Sequence, residues 1–591
     1  MSKKLMNVVL ASALLAGITG CSSTTTEEES TTTETAEEVS EVVEEVSNEA
    51  VSSLEMSVEE VEVDLAVLEE HEEVFVYTSE VKIDYSNVVQ PAFYVFAGNK
   101  SEEEAESLVK EMGIGSVLNK WAGSVEVINP LDGTSYGAED ADNFLDLLGA
   151  GICNAKVIGI DEGATFVNNE LRTNLYAVAG LMMYGGEMEE EVSEGVNVPC
   201  YLVNPAENAK SYFTAVNTVS SLDKTIVGEE DNLKDAFENA WNQVFSKNYR
   251  QHNSKTEFYN ISARDVTEDY ELIEIADLGA LGIMYEPHYD EAVNGEGKYT
   301  WFEYIPTATL AKEDGSVPLV ISLHGNGNDA RLQGDTTGWP ELAAKEEFMF
   351  IAPEWQQEVV EGGQTEGHPN FFECDGLEGD KLIEWLNDVI LAKYPQIDTT
   401  RIYLNGLSAG ASASTLYGVK YSDIFAAVGV VSGPGVDKVE LASIAETYEG
   451  GEVPYVYICG DHDFFGMLPV DGSSTNSFPI DPDNGIYIQH VDPNVDMFPF
   501  IQSYQKINGM EVSETYNMED NEFYGVKLDE QTWVTLGAKE ALEGTLSNEN
   551  GVCIKLLGVK DLAHWNYKAE AEYIWNFISQ FARNEDGTLK R

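Results

Sequence analysis

Basic residues are scarce in this chain of 591 residues. Lysine and arginine together number 33, against 105 aspartates and glutamates, so the formal net charge is −72. A surface this acidic repels phosphate backbones and anionic lipid head groups. We therefore expect no nucleic-acid partner for the folded body.

Cysteine is also sparse. The six cysteines are widely scattered and form no C-x-x-C pair, so neither a zinc site nor a dense disulfide framework is indicated. One or two disulfides are compatible with this number, but the sequence does not assign them. We expect neither a bound metal nor a cofactor.

Long hydrophobic runs are absent from the start of the chain, where the apolar run at residues 5–16 is too short for a spanning helix. It follows Lys3 and Lys4 and leads to Gly20 and Cys21, which is typical of a secretory signal. The ending resembles the bacterial lipobox, whose cysteine becomes the lipidated first residue. This resemblance implies a signal at residues 1–21, a membrane anchor at Cys21 and a location on the extracellular face of the cell membrane.

The stretch that follows consists mainly of Thr, Ser, Glu and Val, and has no Lys or Arg. Such a segment repels itself and lacks apolar surface to bury. We expect residues 22–75 to form an acidic, disordered tether.

The rest of the chain contains two similar halves. Residues 91–99 align without gaps on residues 318–326, and residues 159–164 align on 406–411. Three shorter pairs follow the same order: residues 127–130 with 350–353, 198–203 with 453–458, and 241–242 with 575–576. Pairs in the same order indicate a duplication.

Both halves read as strands alternating with helices, which predicts an α/β fold with mostly parallel sheets covered on both faces. Apolar spacing predicts helices at residues 101–112, 380–393 and 568–583. Alternating runs at residues 270–275 and 299–305 suit antiparallel strands that open the second sheet. We place the boundary near Asn253, between domains at residues 76–253 and 254–591.

The strongest catalytic pattern is a Gly-x-Ser-x-Gly motif at residues 406–410, between a predicted strand and small residues that can open a helix. A sharp strand-to-helix turn exposes a serine at its tip and requires glycine on both sides. We therefore predict that Ser408 is a nucleophile.

A serine nucleophile needs a base and a carboxylate that orients the base. Asp463 follows the predicted strand at residues 455–459, and Asp461 is the alternative. His564 follows the last predicted strand, at residues 552–558, and precedes the closing helix. The chain order Ser408, Asp463, His564 therefore predicts a catalytic triad.

An oxyanion intermediate also needs N–H donors. We expect the first from Ala409, directly after the serine. We expect the second from the glycine-rich turn after residues 319–323, at Asn326 or its neighbour Gly325. His324 is expected to be a structural residue of this turn.

Aromatic residues near the expected mouth could contact a phenolic or sugar group. Trp355, Phe464 and Trp565 are the predicted substrate contacts. Core packing explains most aromatic residues, so this prediction depends on their exposure.

The first half lacks these groups. Asp161 stands at the position of the serine, Ala97 stands at that of His324, and there is no histidine between residues 73 and 251. An aspartate nucleophile still needs a histidine to activate water. The first half is expected to be inactive, as a scaffold or a binding surface.

The turn at residues 323–330 and the motif at residues 401–410 together resemble the polyhydroxybutyrate-depolymerase-like and feruloyl-esterase-like α/β-hydrolases. The resemblance extends from about residue 299 to the C-terminus. It implies two tandem α/β-hydrolase-like domains, the first degenerate. It also implies cleavage of carboxylic esters, such as feruloyl, acetyl or hydroxyalkanoate esters on polymers, without a cofactor.

Two other functions remain compatible with the sequence. The same fold and triad serve serine peptidases and acyltransferases, because a fold does not determine a reaction. The protein could also bind glycan or protein at the cell surface without catalysis. The sequence does not specify the ester or the oligomeric state.

Overall fold

The computed structural model describes most of the chain after residue 64. The described residues are 65–70, 74–79, 91–121, 123–148, 154–189, 191–192, 195–218, 224–250, 272–325, 329–355, 375–433, 438–460, 493–517, 519–521, 524–560, 562, 566–584 and 586–591. The predicted signal, Cys21 and residues 22–64 of the predicted tether lie outside them.

A sheet of eight strands forms the first unit, in the order β1-β2-β4-β3-β5-β6-β7-β8. The antiparallel hairpin β1–β2 opens it, and the strands from β4 onward are parallel. The strands are β1 (Leu65–Glu70), β2 (Val74–Ser79), β3 (Ala92–Phe96), β4 (Ser124–Ile128), β5 (Ala155–Ile160), β6 (Gly180–Tyr184), β7 (Cys200–Val203) and β8 (Thr225–Gly228).

Helices cover both faces of this sheet, because each presents apolar residues at three-to-four spacing. Those of one face are α1 (Glu102–Met112), α2 (Gly115–Trp121) and α6 (Leu233–Ala240), which a π-helical turn at Trp241–Phe245 extends. Those of the other are α3 (Ala138–Leu147), α4 (Glu162–Phe166) and α5 (Glu207–Val216). A π-helical turn (Val167–Leu171) and a 3₁₀ helix (Arg172–Ala177) follow α4.

The second unit is a sheet of ten strands in the order β11-β12-β14-β13-β15-β16-β17-β20-β19-β18. An antiparallel hairpin opens it, and antiparallel strands close its far edge. The strands are β11 (Ile283–Val293), β12 (Glu296–Pro306), β13 (Val317–Leu323), β14 (Met349–Pro353), β15 (Ile397–Leu407), β16 (Phe425–Val431), β17 (Tyr455–Gly460), β18 (Glu530–Leu536), β19 (Lys539–Asn548) and β20 (Gly551–Val559).

Helices again pack on both faces of the second sheet. The short helix α7 (Thr307–Leu310) follows β12. One face holds α8 (Ala330–Thr336), α9 (Trp339–Glu346) and α15 (Ala569–Ile578). The other holds α10 (Asp380–Trp385), α12 (Ala409–Lys420), α13 (Lys438–Glu446) and α14 (Pro493–Ile507). A π-helical turn (Leu386–Ile390) and α11 (Leu391–Lys393) extend α10.

The eight strands of the first sheet follow the same order as the first eight of the second. Both units are mostly parallel sheets with helices on both faces, opened by an antiparallel hairpin, and the second has the predicted α/β-hydrolase fold. Phe96 pairs with Gly159 as Leu323 pairs with Gly406. The strand register therefore places Asp161 and Ser408 at equivalent positions, as the sequence alignment does.

One aligned pair needs a correction. The sequence places residues 127–130 against 350–353, but Ala92 pairs with Ser124 while Leu319 pairs with Met349. By register, Ile128 corresponds to Pro353, and Asn129 corresponds to Glu354. The alignment slipped by two residues because it matched Pro130 to Pro353, although Pro353 is the last residue of β14 and Pro130 lies two residues beyond the end of β4.

The opening strands of the second sheet also differ from the prediction. The hairpin is Ile283–Val293 with Glu296–Pro306, whereas Leu272–Glu274 is β10 and pairs with β9 (Asn248–Arg250). The turn falls at Asn294 and Gly295, which both have positive φ. Short alternating runs could not show which partner each strand would find.

Two predicted boundaries also move. The first sheet begins at Leu65, so the predicted tether end at residue 75 was too late, because the strand pairing extends into the acidic segment. The closing helix ends at Ile578, after which Ala582–Arg583 pairs with Leu589–Lys590 as β21 and β22.

The two units touch through β9. Tyr249 packs with Ile273 and Leu332, and its hydroxyl donates to Asp335 Oδ2 at 3.0 Å. Lys156 Nζ of the first sheet donates to the Asn248 carbonyl at 2.9 Å. The predicted boundary near Asn253 falls among residues 251–271, which lie outside the described part of the chain.

Membrane-spanning helices are not found within the described ranges, where every helix is too short or too polar to cross a bilayer.

Three cysteines lie in these ranges, and Cys200, Cys459 and Cys553 are buried free thiols.

Candidate active site

Ser408 lies on a sharp turn between the central strand β15 and helix α12. Its backbone has φ 53° and ψ −113°, a conformation that costs a non-glycine residue about 1–3 kcal/mol. The turn is held because the Ser408 N–H donates to the Val431 carbonyl at 3.0 Å, and the Ser412 N–H donates to the Ser408 carbonyl at 3.0 Å. The strain is thus maintained by the sheet and the helix, and it leaves the half-buried serine at the tip of the turn.

The two glycines of the motif are required by close backbone contacts. A Cβ on Gly406 would lie 2.3 Å from the Gly410 carbonyl oxygen, and one on Gly410 would lie 2.1 Å from the Leu323 carbonyl oxygen. Helix α12 therefore starts directly against the end of β13. Strand β13 leads into the predicted oxyanion turn, residues 324–329. The end of this strand is therefore in contact with the nucleophile turn, which carries Ser408.

Ala409 is the first residue of the twelve-residue helix α12. The N–H groups of a first helical turn have no carbonyl partner within their helix, and the helix dipole adds partial positive charge there. The Ala409 amide therefore stands next to Ser408 as a donor suited to a developing negative charge.

The predicted oxyanion turn begins with buried residues. His324 is 2% exposed, and its Nε2 lies 2.6 Å from Glu354 Oε1. Its Nδ1 lies 2.9 Å from the Gly325 carbonyl oxygen. Burial would lower the pKa of His324, but the Glu354 carboxylate raises it above its usual value. Both ring nitrogens of His324 thus face oxygen atoms of the turn region, and His324 is a structural residue of the turn, in line with its predicted role.

The turn ends at helix α8. Asp329 caps this helix, because its Oδ1 accepts from the Leu332 N–H at 2.8 Å. The Ala330 N–H donates to Glu354 Oε2 at 3.2 Å. Burial, with the charge of Glu354, raises the pKa of Asp329 to about 7.

Trp355, a predicted substrate contact, also has a structural role at the start of the turn. It is 7% exposed and lies in the core beneath the sheet. Its indole N–H donates to the His324 carbonyl at 2.8 Å. Trp355 therefore supports the start of the turn, and its contact with a substrate stays a prediction.

The loops predicted to carry the acid and the base leave neighbouring strands. Gly460 ends β17 and pairs with Val559 of the parallel strand β20. A Cβ on Gly460 would lie 1.8 Å from the Leu562 carbonyl oxygen, so the two chain segments touch as they leave the sheet. Asn566 Nδ2 then donates to Gln333 Oε1 of α8 at 3.1 Å. Asn566 thus contacts the helix that follows the oxyanion turn, and Leu562 contacts the end of β17.

Several predicted site residues lie outside the described part of the chain. They are Asp463 with its alternative Asp461, His564, Asn326, Phe464, Trp565 and the lipidation site Cys21. Their roles stay predictions. Ser408, Ala409 and Gly325 are described, and the contacts above bring their turns together.

The first unit repeats the nucleophile turn with an aspartate. Asp161 has φ 49° and ψ −106°, and its N–H donates to the Tyr184 carbonyl at 2.9 Å. A Cβ on Gly163 would lie 1.8 Å from the Phe96 carbonyl oxygen, as Gly410 would meet Leu323. The turn has kept its geometry although its residue has changed.

The donor position of the first unit is occupied. The N–H groups of Ala97 and Gly98 donate to the Tyr136 hydroxyl at 3.2 and 3.1 Å. That hydroxyl in turn donates to the Ile128 carbonyl at 2.6 Å. A Cβ on Gly98 would lie 1.6 Å from Glu162 Oε1, so a carboxylate also lies against this turn. The Gly98 amide is therefore already paired with Tyr136, and Glu162 adds negative charge beside it.

Among the described residues, one group of side chains has metal-ligand chemistry, formed by Glu286, His288 and Glu303. Lys393 Nζ lies 2.9 Å from a carboxylate oxygen of each glutamate. The lysine therefore already provides the positive charge that pairs with the two carboxylates. Trp301 Nε1 also donates to the buried Glu303 at 2.8 Å. The group is a structural ion-pair network on strands β11 and β12 of the opening hairpin, which Lys393 joins from α11.

Sequence reasoning missed Glu354 and Tyr136. Glu354 follows the end of β14, where a polar residue after an apolar strand was the available signal. Tyr136 had no signal, because its partner amides are recognisable only after the chain has folded.

Residues 300–446 match the family model described as Esterase PHB depolymerase. Among curated proteins, the poly(3-hydroxyalkanoate) depolymerase C of Paucimonas lemoignei is 27% identical over 255 residues, covering 38% of this chain and 57% of the relative. A bifunctional acetylxylan esterase/xylanase of Neocallimastix patriciarum is 31% identical over 121 residues, covering 20% of this chain and 16% of the relative. The chain thus spans less than two thirds of the length of these relatives.

Solved structures with partial similarity include the acetyl xylan esterase from Aspergillus awamori, with TM-score 0.31 and 12% identity over 50% of this chain and 98% of that one. A feruloyl esterase module from Clostridium thermocellum has TM-score 0.29 and 12% identity, covering 50% of this chain and 87% of that one. The family match lies in the second unit and confirms the predicted resemblance to esterases of the polyhydroxybutyrate-depolymerase type.

Proposed function

We propose that this protein, whose residues 300–446 match the polyhydroxybutyrate-depolymerase type of esterase, hydrolyses carboxylic esters through an acyl-enzyme on Ser408. The observation that carries the proposal is the Ser408 turn. Its φ of 53° and ψ of −113° place the serine directly before the first-turn amide of α12. The turn also packs on the strand that leads into Gly325.

In the proposed reaction, Ser408 Oγ attacks the ester carbonyl as His564 takes the hydroxyl proton. Asp463 orients the imidazole. The amides of Ala409 and of Gly325 or Asn326 stabilise the oxyanion. The alcohol leaves with the proton held by His564, and water then hydrolyses the acyl-enzyme by the same proton transfers in reverse.

The proposed substrates are esters attached to polymers or polysaccharides. This class is supported by the family match and by relatives named as poly(3-hydroxyalkanoate) depolymerase and acetylxylan esterase/xylanase. We further propose that the protein acts outside the cell, attached by a lipid at Cys21. The support for this location is the lipobox-like ending at residues 18–21 and the acidic segment that follows it.

Replacement of the nucleophile tests the proposal. Ser408→Ala should lower the turnover of a soluble 4-nitrophenyl ester by about three or more orders of magnitude, as loss of a triad serine does. The melting temperature should change little, because the side chain stands at the tip of the turn. The measurements are kcat and thermal unfolding of the purified protein.

A matched control is Ser412→Ala, which removes a hydroxyl from the same helix one turn further on. It should keep near-normal kcat. Near-normal turnover by Ser408→Ala would refute the proposed function. Acetyl, feruloyl and hydroxybutyryl esters, compared on the parent protein, would then identify the acyl group.

A further inference from the structure

Glu354 contacts both ends of the oxyanion turn. Its Oε1 lies 2.6 Å from His324 Nε2 at the start of the turn, and its Oε2 accepts from the Ala330 N–H at 3.2 Å at the end. The side chains of Glu354 and His324 are each 2% exposed. One buried carboxylate therefore closes the loop that runs from β13 to α8.

The backbone of Glu354 is held as firmly as its side chain. Its N–H donates to the Thr300 carbonyl at 2.9 Å, and its carbonyl accepts from the Leu377 N–H at 3.0 Å. The adjacent Trp355 donates to the His324 carbonyl. The sheet thus fixes the position of the Glu354 carboxylate. The carboxylate in turn holds both ends of the oxyanion turn.

His324 extends the effect into the turn. With Nε2 against Glu354, its Nδ1 donates to the Gly325 carbonyl at 2.9 Å. That carbonyl belongs to Gly325, one of the two candidates for the second oxyanion donor, and the same peptide group carries the N–H of Asn326, the other candidate. An oxyanion donor acts only if it is held where charge develops, so an imidazolium that fixes this peptide group contributes directly to its placement.

The same position has a related function in the first unit. By strand register Asn129 corresponds to Glu354, and its side chain accepts from the Lys100 N–H at 2.9 Å and donates to the Lys100 carbonyl at 2.8 Å. In both units, the residue after this strand therefore supports the turn that follows the neighbouring parallel strand, β3 or β13. The charged pair occurs only beside the serine, since Ala97 replaces His324 in the first unit.

We propose that Glu354 is a positioning residue for esterase catalysis, which holds the oxyanion turn through His324 and the Ala330 amide without touching the substrate. This role rests on the proposed function of Ser408. The raised pKa of His324 agrees with it, because a carboxylate–imidazolium pair is the charge state that the contact requires.

The test variant is Glu354→Gln, which keeps the side-chain length and an oxygen for Ala330 but removes the charge opposite His324. We expect kcat for a soluble 4-nitrophenyl ester to fall about 10-fold to 100-fold, because a displaced donor stabilises the transition state poorly. KM should stay within about twofold. Affinity for an alkyl boronic acid, whose tetrahedral adduct with Ser408 mimics the oxyanion, should fall in parallel with kcat.

Glu303→Gln is the matched control. Glu303 is also a buried glutamate paired with a histidine, because its Oε1 lies 3.2 Å from His288 Nε2. Burial would raise the pKa of Glu303, but its contacts with His288 and Lys393 lower it to about 2. This control should lower the melting temperature at least as much as Glu354→Gln while leaving kcat and boronate affinity unchanged.

A second variant is used if Glu354→Gln does not fold. His324→Asn removes the paired charge but leaves the bond from Ala330 to Glu354, and it should lower kcat and boronate affinity in the same way. Unchanged kcat in a folded variant, or equal kcat losses in Glu354→Gln and Glu303→Gln, would overturn the positioning role. Ser408→Ala is measured beside them: if it stays active, the proposed function fails, and if it alone loses activity, only the positioning role fails.

Discussion

At the scale of single residues, the candidate site depends on groups held in unfavourable states. Ser408 keeps a strained backbone, and Asp329 is buried beside the Glu354 carboxylate. Asp329 Oδ2 has no hydrogen-bond partner among the described residues. Such states persist because the surrounding sheet and helices fix them, so their cost should appear as a measurable loss of stability.

Asp329→Asn tests this cost. Burial and Glu354 raise the pKa of Asp329 from an ordinary value of 3.8 to about 7, although Leu332, His324 and Arg331 oppose them. A raised carboxyl pKa means that folding favours the protonated form, so the parent loses stability as the pH rises from about 4 to about 7. Asparagine retains the capping oxygen and does not titrate. The gain in melting temperature over the parent should therefore increase from pH 5 to pH 7 and then level off.

Asp398→Asn is the control of opposite sign. Burial opposes ionisation there, but hydrogen bonds from Thr400 and Arg401 lower the pKa of Asp398. Its carboxylate therefore stabilises the fold above pH 4, and the variant should be less stable than the parent at neutral pH. Parallel curves of melting temperature against pH for the parent and Asp329→Asn would contradict the assignment of a raised pKa.

At the scale of elements, the site is a contact between the start of helix α12 and the end of strand β13. Gly410 makes this contact possible, because a Cβ would lie 2.1 Å from the Leu323 carbonyl oxygen and 2.6 Å from that of His324. The atoms that a Cβ on Gly410 would meet are backbone atoms, so no flexible side chain could move aside to make room for it. The separation between nucleophile and oxyanion turn is therefore set by the absence of one side chain.

Gly410→Ala should lower kcat about 100-fold or more, because a shift of about 1 Å in reacting groups has that effect. Gly418→Ala on the same helix is the matched control, since its Cβ would lie 2.1 Å from Val428 Cγ2, a side-chain atom. The control should lower the melting temperature but keep kcat within about threefold. Similar kcat losses in both variants would mean that the helix as a whole, and not this contact, governs the site.

At the scale of the whole molecule, two units share one plan, and both the serine turn and the match to the family model lie in the second. The first has Asp161 on an equivalent turn, with the Gly98 amide donating to Tyr136 and Glu162 against Gly98. Its strand β9 packs on α8 through Tyr249, directly after the oxyanion turn. This contact supports the expectation of a scaffold.

Asp161→Ala should leave steady-state ester turnover within about twofold of the parent, because this unit has no histidine between residues 73 and 251 and no open oxyanion donor at Gly98. The decisive test uses the Ser408→Ala protein as its starting point. A double variant that also carries Asp161→Ser should have no more activity than Ser408→Ala alone. A large fall in the first variant with folding preserved, or activity in the second, would show that the first unit has chemistry of its own.

The sequence by itself determined the local features of this protein. The glycine spacing around Ser408 follows from steric contacts within a few residues, and strands alternating with helices follow from apolar periodicity. The duplication could be recognised because three of the four aligned pairs that lie on strands agree with the strand register. Ser408, Ala409 and Gly325 could be predicted because each belongs to a short sequence motif.

The tertiary structure alone decided which distant residues meet. Glu354 reaches His324 because β13 and β14 are parallel neighbours, and Tyr136 reaches the amides of Ala97 and Gly98 by crossing from another loop. The two-residue correction in β4, the partner of residues 272–274 and the burial of Trp355 are likewise non-local. Apolar strands are nearly interchangeable in sequence, so their register and contacts are fixed only when the sheet assembles.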